Sequence, residues 1–568
     1  MYSTRGMVCS SQPLASAAGA KVLSKGGNCV EAAVAVSAAL CVVEPMSTGI
    51  GGDCFALLYR RDTGTVEGIN GSGRSAKKVE IKDVLNTEPE GVALDTVPQR
   101  SIFSVTVPGA ICGWFDTLDK WGSKTVSLHD IFEPAITLAK HGFPVSDICA
   151  NMWRRQEKKL ADQNTGTSSI EGNLLFGGKG PLEGQFIKNT LLAGALELIS
   201  EKGKEAFYAG PISEAIIRET KKRGHKLDAE DFTAHTSTFV DPICIRFLDF
   251  NVWEIPPNGQ GLVALIALGV IRELHKKGVI DLYKIQHNST EYFHLLIEAC
   301  KIGFYDSENS ISDLDYSGDS YATLLCESHL QERASLFKKN DVIDSNVFDK
   351  KIPDPKNKSD TVYHATTDSS GDSCSFINSV YEGFGSAIMV PEYGFCLQNR
   401  GANFNLVPGS TNCLEGFKRP YHTIIPSMIT NAKDNSLFAS FGNMGGYMQP
   451  VGHVQHVLNL CLFKFSAQHL TDLPRFCLKS DQNSPPRLRQ GSDTPVSTSI
   501  TTVALEEGVD ESVFQDLSDL GHSVTKVSGY DRSLFGRAQI IRDESFNGNL
   551  IFAGGSDLRG DGSAMPVI

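Results

Sequence analysis

One segment restricts the fold more than any other. The stretch from Asn28 to about Val43, with its body VEAAVAVSAALCVV, carries apolar or small side chains on nearly every face. A helix without a polar stripe must be covered on all sides. Asn28 can cap its first amides, Glu31 suits its first turn, and Glu44-Pro45 ends it. At that length it falls short of the roughly 20 apolar residues a bilayer crossing needs, so the reading is a buried helix. The glycine-dense STGIGGD (Ser47–Asp53) follows, and then FALLYRRDTGTVEGING, two β-rich runs around Asp62-Thr63-Gly64 that read as a hairpin. Helix and sheet are therefore mixed from the start.

From about Leu128 to Leu330 the pattern predicts mainly helix: IFEPAITLAKHGF, LLAGALELISEKG, PISEAIIRETKKRG, LVALIALGVIREL and STEYFHLLIEACKIGF all place apolar residues at helical spacing. A polar stretch, Lys338–Ser359, interrupts this pattern with two prolines and many charges and is expected to be an exposed loop where a chain can be cut. Directly after it, TVYHATTD and SCSFINSVY form a predicted hairpin with Gly371 in the turn, which puts Thr361 at the start of a strand.

The chain has 568 residues, enough for one large core or several ordinary ones. A formal net charge of −13 argues against nucleic acid or an anionic membrane as the main partner and leaves a small molecule as the expected one. The fourteen cysteines include no C-x-x-C pair and no histidine at zinc spacing, and they read as reduced, mostly buried thiols. No basic region followed by an apolar core opens the chain, so the expected location is the cytoplasm. Three N-x-S/T sequons, at Asn70, Asn288 and Asn357, point weakly the other way.

No phosphate-cradling G-x-x-x-x-G-K-[ST], no H-E-x-x-H and no G-x-S-x-G is present. His453 and His456 share a predicted helix, but without a third ligand nearby they read as structural, and neither a metal nor a cofactor is expected. Thr361 is unremarkable by itself, since a threonine in such a run is ordinarily a strand residue.

What singles Thr361 out is a set of blocks in fixed order: GGNCVEAAVA (Gly26–Ala35), SVTVPGAICGW (Ser104–Trp114), PAITLAKHGFPVS (Pro134–Ser146), EAFYAG (Glu205–Gly210), IPPNGQG (Ile255–Gly261), DTVYHATTD (Asp360–Asp368), FGSAI (Phe384–Ile388), KRPYHTIIPSM (Lys418–Met428), GNMGG (Gly442–Gly446) and SDLRGDGSA (Ser556–Ala564). Over nearly its whole length the chain resembles the γ-glutamyltransferase family. The resemblance implies an α+β fold, the N-terminal-nucleophile αββα four-layer sandwich. It also implies a precursor that cuts itself between Asp360 and Thr361 into a large subunit, 1–360, and a small subunit, 361–568. The new α-amino group, with a pKa of about 7.7 to 8, then serves as base for the Thr361 hydroxyl. The family pattern makes Ser379 the hydroxyl partner of Thr361 and the backbone amides of Gly445 and Gly446 the oxyanion donors.

The substrate positions depart from the pattern. Tyr381 stands where better-known members have Asn. Arg400 and Asn403 replace the Gln or Glu and Asp that hold the glutamyl ammonium, and His422 and Thr423 replace paired serines at the carboxylate. Arg74 is displaced by one position from the family's carboxylate-binding arginine. Three readings follow: an enzyme that hydrolyses γ-glutamyl amides such as glutathione or transfers their acyl group, an acylase of the glutaryl or cephalosporin kind, and an uncleaved scaffold.

Overall fold

The computed structural model describes residues 1–87, 94–344, 347, 359–480, 487–488, 495–496 and 501–568. Two seven-stranded antiparallel sheets lie face to face. The first runs in the order Ser563–Pro566, Met7–Ser10, Ser359–Thr367, Ser373–Glu382, Asp53–Arg60, Thr65–Gly71, Thr238–Val240. The second runs Tyr2–Ser3, Phe552–Ser556, Ala538–Asp543, Leu437–Asn443, Ser427–Asn431, Phe250–Glu254, Ile243–Phe247. Residues on both sides of Asp360 supply strands to each sheet.

Side-chain alternation along these strands produces three separate hydrophobic layers. Leu57 and Tyr363 join Met428, Ile541 and Phe552 between the sheets. Their neighbours Leu58 and Val362 face the opposite way, into a core made with helices Cys29–Val43 and Leu128–His141. On the far side, Phe441 and Ile540 pack under helices Gly261–Lys276, Thr290–Ser307 and Met448–Cys461. Three cores between four layers make the αββα sandwich. The sheets approach closely where Gly442 lies over the Tyr363 ring, since a Cβ there would come within 2.5 Å of it.

All fifteen residues of Cys29–Val43 are buried, and Asn28 with Glu31 forms a complete capping box at its start. The predicted 53–71 hairpin and the hairpin turning at Gly371 (φ 88°) are both present. The 128–330 region is mainly helical as expected, but it also gives the two sheets three short strands, Thr238–Val240, Ile243–Phe247 and Phe250–Glu254. Their signal is short: Ile243, Ile245 and Phe247 are buried while Arg246 is exposed, a period of two lost between longer helices. One expectation needs correction: Thr361 does not begin its strand, which starts at Ser359 because the uncut chain keeps pairing upstream, Ser359 with Glu382 and Asp360 with Tyr381.

Most of the 338–359 stretch lies outside the described residues. Its described beginning is anchored on Thr290–Ser307: the Ile343 amide donates to Glu298, and the Lys338 carbonyl bonds His294. Among the sequons, Asn70 is buried and donates to Asn258, and Asn357 is not described. No disulfide joins the fourteen cysteines among the described residues, and twelve of them are buried. Among the described residues, no helix is long and apolar enough to cross a membrane.

Candidate active site

Thr361 sits at an irregularity in its strand. Asp360 pairs with Tyr381 and Val362 with Asn378, so Thr361 alone stands opposite two residues, Ser379 and Val380. Such a bulge re-aims the side chains around it, and the next residue, Tyr381, is held at φ 82°, a rare angle for an aromatic side chain. Thr361 is fully buried, and its Oγ1 lies 3.0 Å from Ser379 Oγ. The chain is continuous through Asp360, so this is the precursor's geometry. The Thr361 carbonyl accepts from Arg537, which is itself paired with Glu44 at the end of the buried helix.

Ser379 Oγ accepts from the Tyr381 amide at 2.9 Å and from Arg400 Nη2 at 3.1 Å. Arg400 Nη1 donates to Thr423 Oγ1 at 2.6 Å, and its guanidinium lies over the Tyr381 ring at 4.3 Å. Gln260 continues the network, donating to the carbonyls of Thr423 and Gly446 at 2.6 and 2.8 Å. An unbroken path of polar contacts thus joins Thr361 to the glycine pair. Gly445 and Gly446, at φ 129° and 61°, stand just before helix Met448–Cys461, and neither amide finds an acceptor among the described residues. Two amides without an acceptor before a helix are suited to an anionic oxygen.

The substrate residues expected from sequence divide into those in this network and those outside it. Arg400, Tyr381 and Thr423 surround Ser379 as described. Asn403 lies alongside, donating to the Tyr421 carbonyl at 3.0 Å. His422 turns instead to Asp53, with its Nε2 3.0 Å from Oδ2. Arg74 bonds the Thr236 carbonyl and Asp315 and lies over Phe417, and none of these groups belongs to the network around Thr361. His453 is held between Glu254 and the Asn443 amide, and His456 meets the Asn443 side chain, both structural contacts. No cluster of three or more metal-ligating side chains exists among the described residues.

Sequence reasoning missed Asp53, Gln260, Gln398 and Arg537. Asp53 is fully buried and accepts from the Gly73 and Gly109 amides, Gln398 and His422. Its only sequence signal is its place at the end of STGIGGD, and Gln260 stands within IPPNGQG.

Burial, and then the Arg400 charge, push the His422 pKa down to about 3, so its ring is neutral and its Nε2–H donates to Asp53. Burial likewise lowers His364 to about 3 and His225 to about 4. These folded values lie below the ordinary 6.5, so as the pH falls below 6.5 the unfolded chain takes up protons first. The stability they contribute is complete above 6.5 and is lost toward the folded values, about 2 kcal/mol per histidine by pH 5. The melting temperature of a Thr361→Ala protein should drop clearly between pH 7.5 and pH 5. An unchanged value would mean that these rings are not buried and neutral.

The family model described as Gamma-glutamyltranspeptidase matches residues 15–567. A Bacillus subtilis (strain 168) protein described as a glutathione hydrolase-like YwrD proenzyme is 33% identical, over 99% of both chains. An oxamate amidohydrolase proenzyme of Klebsiella pneumoniae is 27% identical over 99% of this chain and 98% of its own. The crystal structure of a cephalosporin acylase from Bacillus halodurans superposes with a TM-score of 0.85 at 32% identity, covering 100% of this chain and 96% of that one.

Proposed function

The chain belongs to the gamma-glutamyltranspeptidase family, and from that premise we propose that it is a proenzyme that cuts itself between Asp360 and Thr361 and then hydrolyses small amides through an acyl-Thr361 ester. The observation that carries this is the contact between Thr361 and a fully engaged Ser379. Arg400 and the Tyr381 amide both donate to Ser379 Oγ and so hold that hydroxyl 3.0 Å from Thr361 Oγ1.

In the precursor, Oγ1 attacks the Asp360 carbonyl carbon and the peptide C–N bond breaks. The resulting ester is opened by water to leave the Asp360 carboxylate and a free Thr361 amine. In the cut protein that amine takes the Oγ1 proton as the hydroxyl attacks a substrate amide, and the amides of Gly445 and Gly446 receive the oxyanion. The subunits 1–360 and 361–568 stay together because each supplies strands to both sheets. No cofactor enters this scheme. Fourteen cysteines without a disulfide among the described residues suit a reducing compartment such as the cytoplasm.

Two substrate readings differ in the acyl group. The relative described as glutathione hydrolase-like supports γ-glutamyl amides, including glutathione. The cephalosporin acylase structure supports the acylase reading. The site favours the second: a buried cation, Arg400, stands where a carboxylate would grip the glutamyl ammonium. Intact-mass spectra test the first step. The wild type should give chains beginning at Met1 and Thr361, and Thr361→Ala one full-length species. Full-length protein in both would leave the uncleaved scaffold as the reading.

A further inference from the structure

We propose that His453, oriented by Glu254, is a positioning residue: it fixes the backbone that carries the Gly445 and Gly446 amides and so sets the rate at which the oxyanion forms. This rests on the acyl-threonine reading above and adds to it the residues that hold the two donors in place.

The need for such a residue comes from the sheet. Strands Ser427–Asn431 and Leu437–Asn443 pair as far as Ser427 and Phe441 and then part. Beyond that point the amides of Ile425 and Asn443 have lost their cross-strand acceptors, and a buried backbone donor needs a replacement. Helix Met448–Cys461, which follows the glycines, supplies it with two side chains one turn apart. Gln449 Oε1 accepts from the Ile425 amide at 3.0 Å, and His453 Nε2 accepts from the Asn443 amide at 3.2 Å. All four residues are fully buried. The chain therefore closes on itself around the glycine pair: Asn443 leads into the loop, and His453 returns from the helix to hold that entrance.

The contacts also fix the state of the ring. A backbone N–H only donates, so Nε2 is the bare nitrogen and Nδ1 carries the proton, which it donates to Glu254 Oε1 at 2.6 Å. Glu254 ends the strand beside Ser427–Asn431 and selects both the tautomer and the plane of the imidazole. With the proton on Nε2, two N–H groups would face each other at Asn443. The Asn443 side chain is held separately, by Arg475 and the Phe535 carbonyl, so loss of the ring contact moves the loop without unfolding the end of the strand. Oxyanion donors work only when aligned beforehand, and a small shift is felt in the transition state rather than in substrate binding.

The test compares His453→Phe with His453→Gln, whose carboxamide can still accept from Asn443 and donate to Glu254, on γ-glutamyl and glutaryl p-nitroanilides. His453→Phe should lower kcat about 30-fold with KM within about threefold of wild type, and His453→Gln should recover to within about fivefold. Added to Gly445→Ala, His453→Phe should cost no more than about threefold further, because both changes act through the same amides. Glu254→Gln keeps the side-chain volume and should lower kcat about tenfold, which serves as the kinetic test if His453→Phe does not melt cooperatively. Hydrogen exchange in a Thr361→Ala background gives a readout independent of turnover. There His453→Phe and Glu254→Gln should speed exchange of the Asn443–Tyr447 amides at least about tenfold and leave those of helix Gly261–Lys276 unchanged. Losses that multiply in the double variant, a change confined to KM, or unaltered exchange at 443–447 would overturn the proposal. Faster exchange at 443–447, in a protein whose wild type neither cuts itself nor cleaves either anilide, would uphold the positioning of the loop and reject the hydrolytic reading on which it was built.

Discussion

Replacing Gly445 with alanine is expected to lower kcat by about 10²- to 10³-fold while leaving KM within a few-fold of wild type. Loss of one preorganised oxyanion donor has an effect of that size. At φ 129° the backbone is in a region that side chains rarely adopt, and an added Cβ would stand 3.1 Å from Gly536 Cα and 3.3 Å from Met448 Cβ. The loop must turn to admit it, and turning it moves the amide. The oxyanion forms only after attack, so the loss should appear in kcat rather than in ground-state binding. Gly446, at φ 61°, provides the control. Asparagine tolerates that left-handed angle, so Gly446→Asn should lose much less. Steady-state kinetics on protein shown by mass to be fully cut will decide. A Gly445→Ala enzyme with unchanged kcat would remove these amides from the mechanism.

The sequence carried the elements that local chemistry writes out and little of what joins them. The capping box at Asn28 and Glu31, the turn at Gly371 and the GNMGG run before a helix all depend on residues a few positions apart, and the structure contains each. The strands within 238–254 were hidden because each is at most five residues long among much longer helices. The site was legible only to the depth of the family blocks. Those blocks name Thr361, and the family pattern around them points to Ser379 and Arg400, but not to the reach of Arg400 across to Ser379 and Thr423, nor to the turn of Arg74 away to Thr236 and Asp315. Such facts depend on how distant segments meet, and no local spacing encodes that.

Asp53 shows the same limit most clearly, and it is where a conservative change should cost the fold most. Its donors come from residues 73, 109, 398 and 422, so one carboxylate joins the start of the first hairpin strand to four other segments. It is also a buried anion near two buried guanidinium groups, Arg400 and Arg419, whose pKa values fall to about 10 through loss of hydration, opposed in part by Asp53 itself. Asp53→Asn keeps the size and removes the charge. One of its oxygens becomes an NH₂ group, which either faces the His422 Nε2–H or one of the other donors. If His422 changes tautomer to avoid the first clash, its Nδ1 no longer accepts from the Ile424 amide. A stranded buried donor and two less compensated guanidinium groups together should cost about 3 kcal/mol. Urea unfolding in a Thr361→Ala background, where self-cutting does not interfere, measures that cost directly. A loss within about 0.5 kcal/mol, the range of an ordinary surface change, would mean that the four donors find other acceptors and that Asp53 does not organise the site.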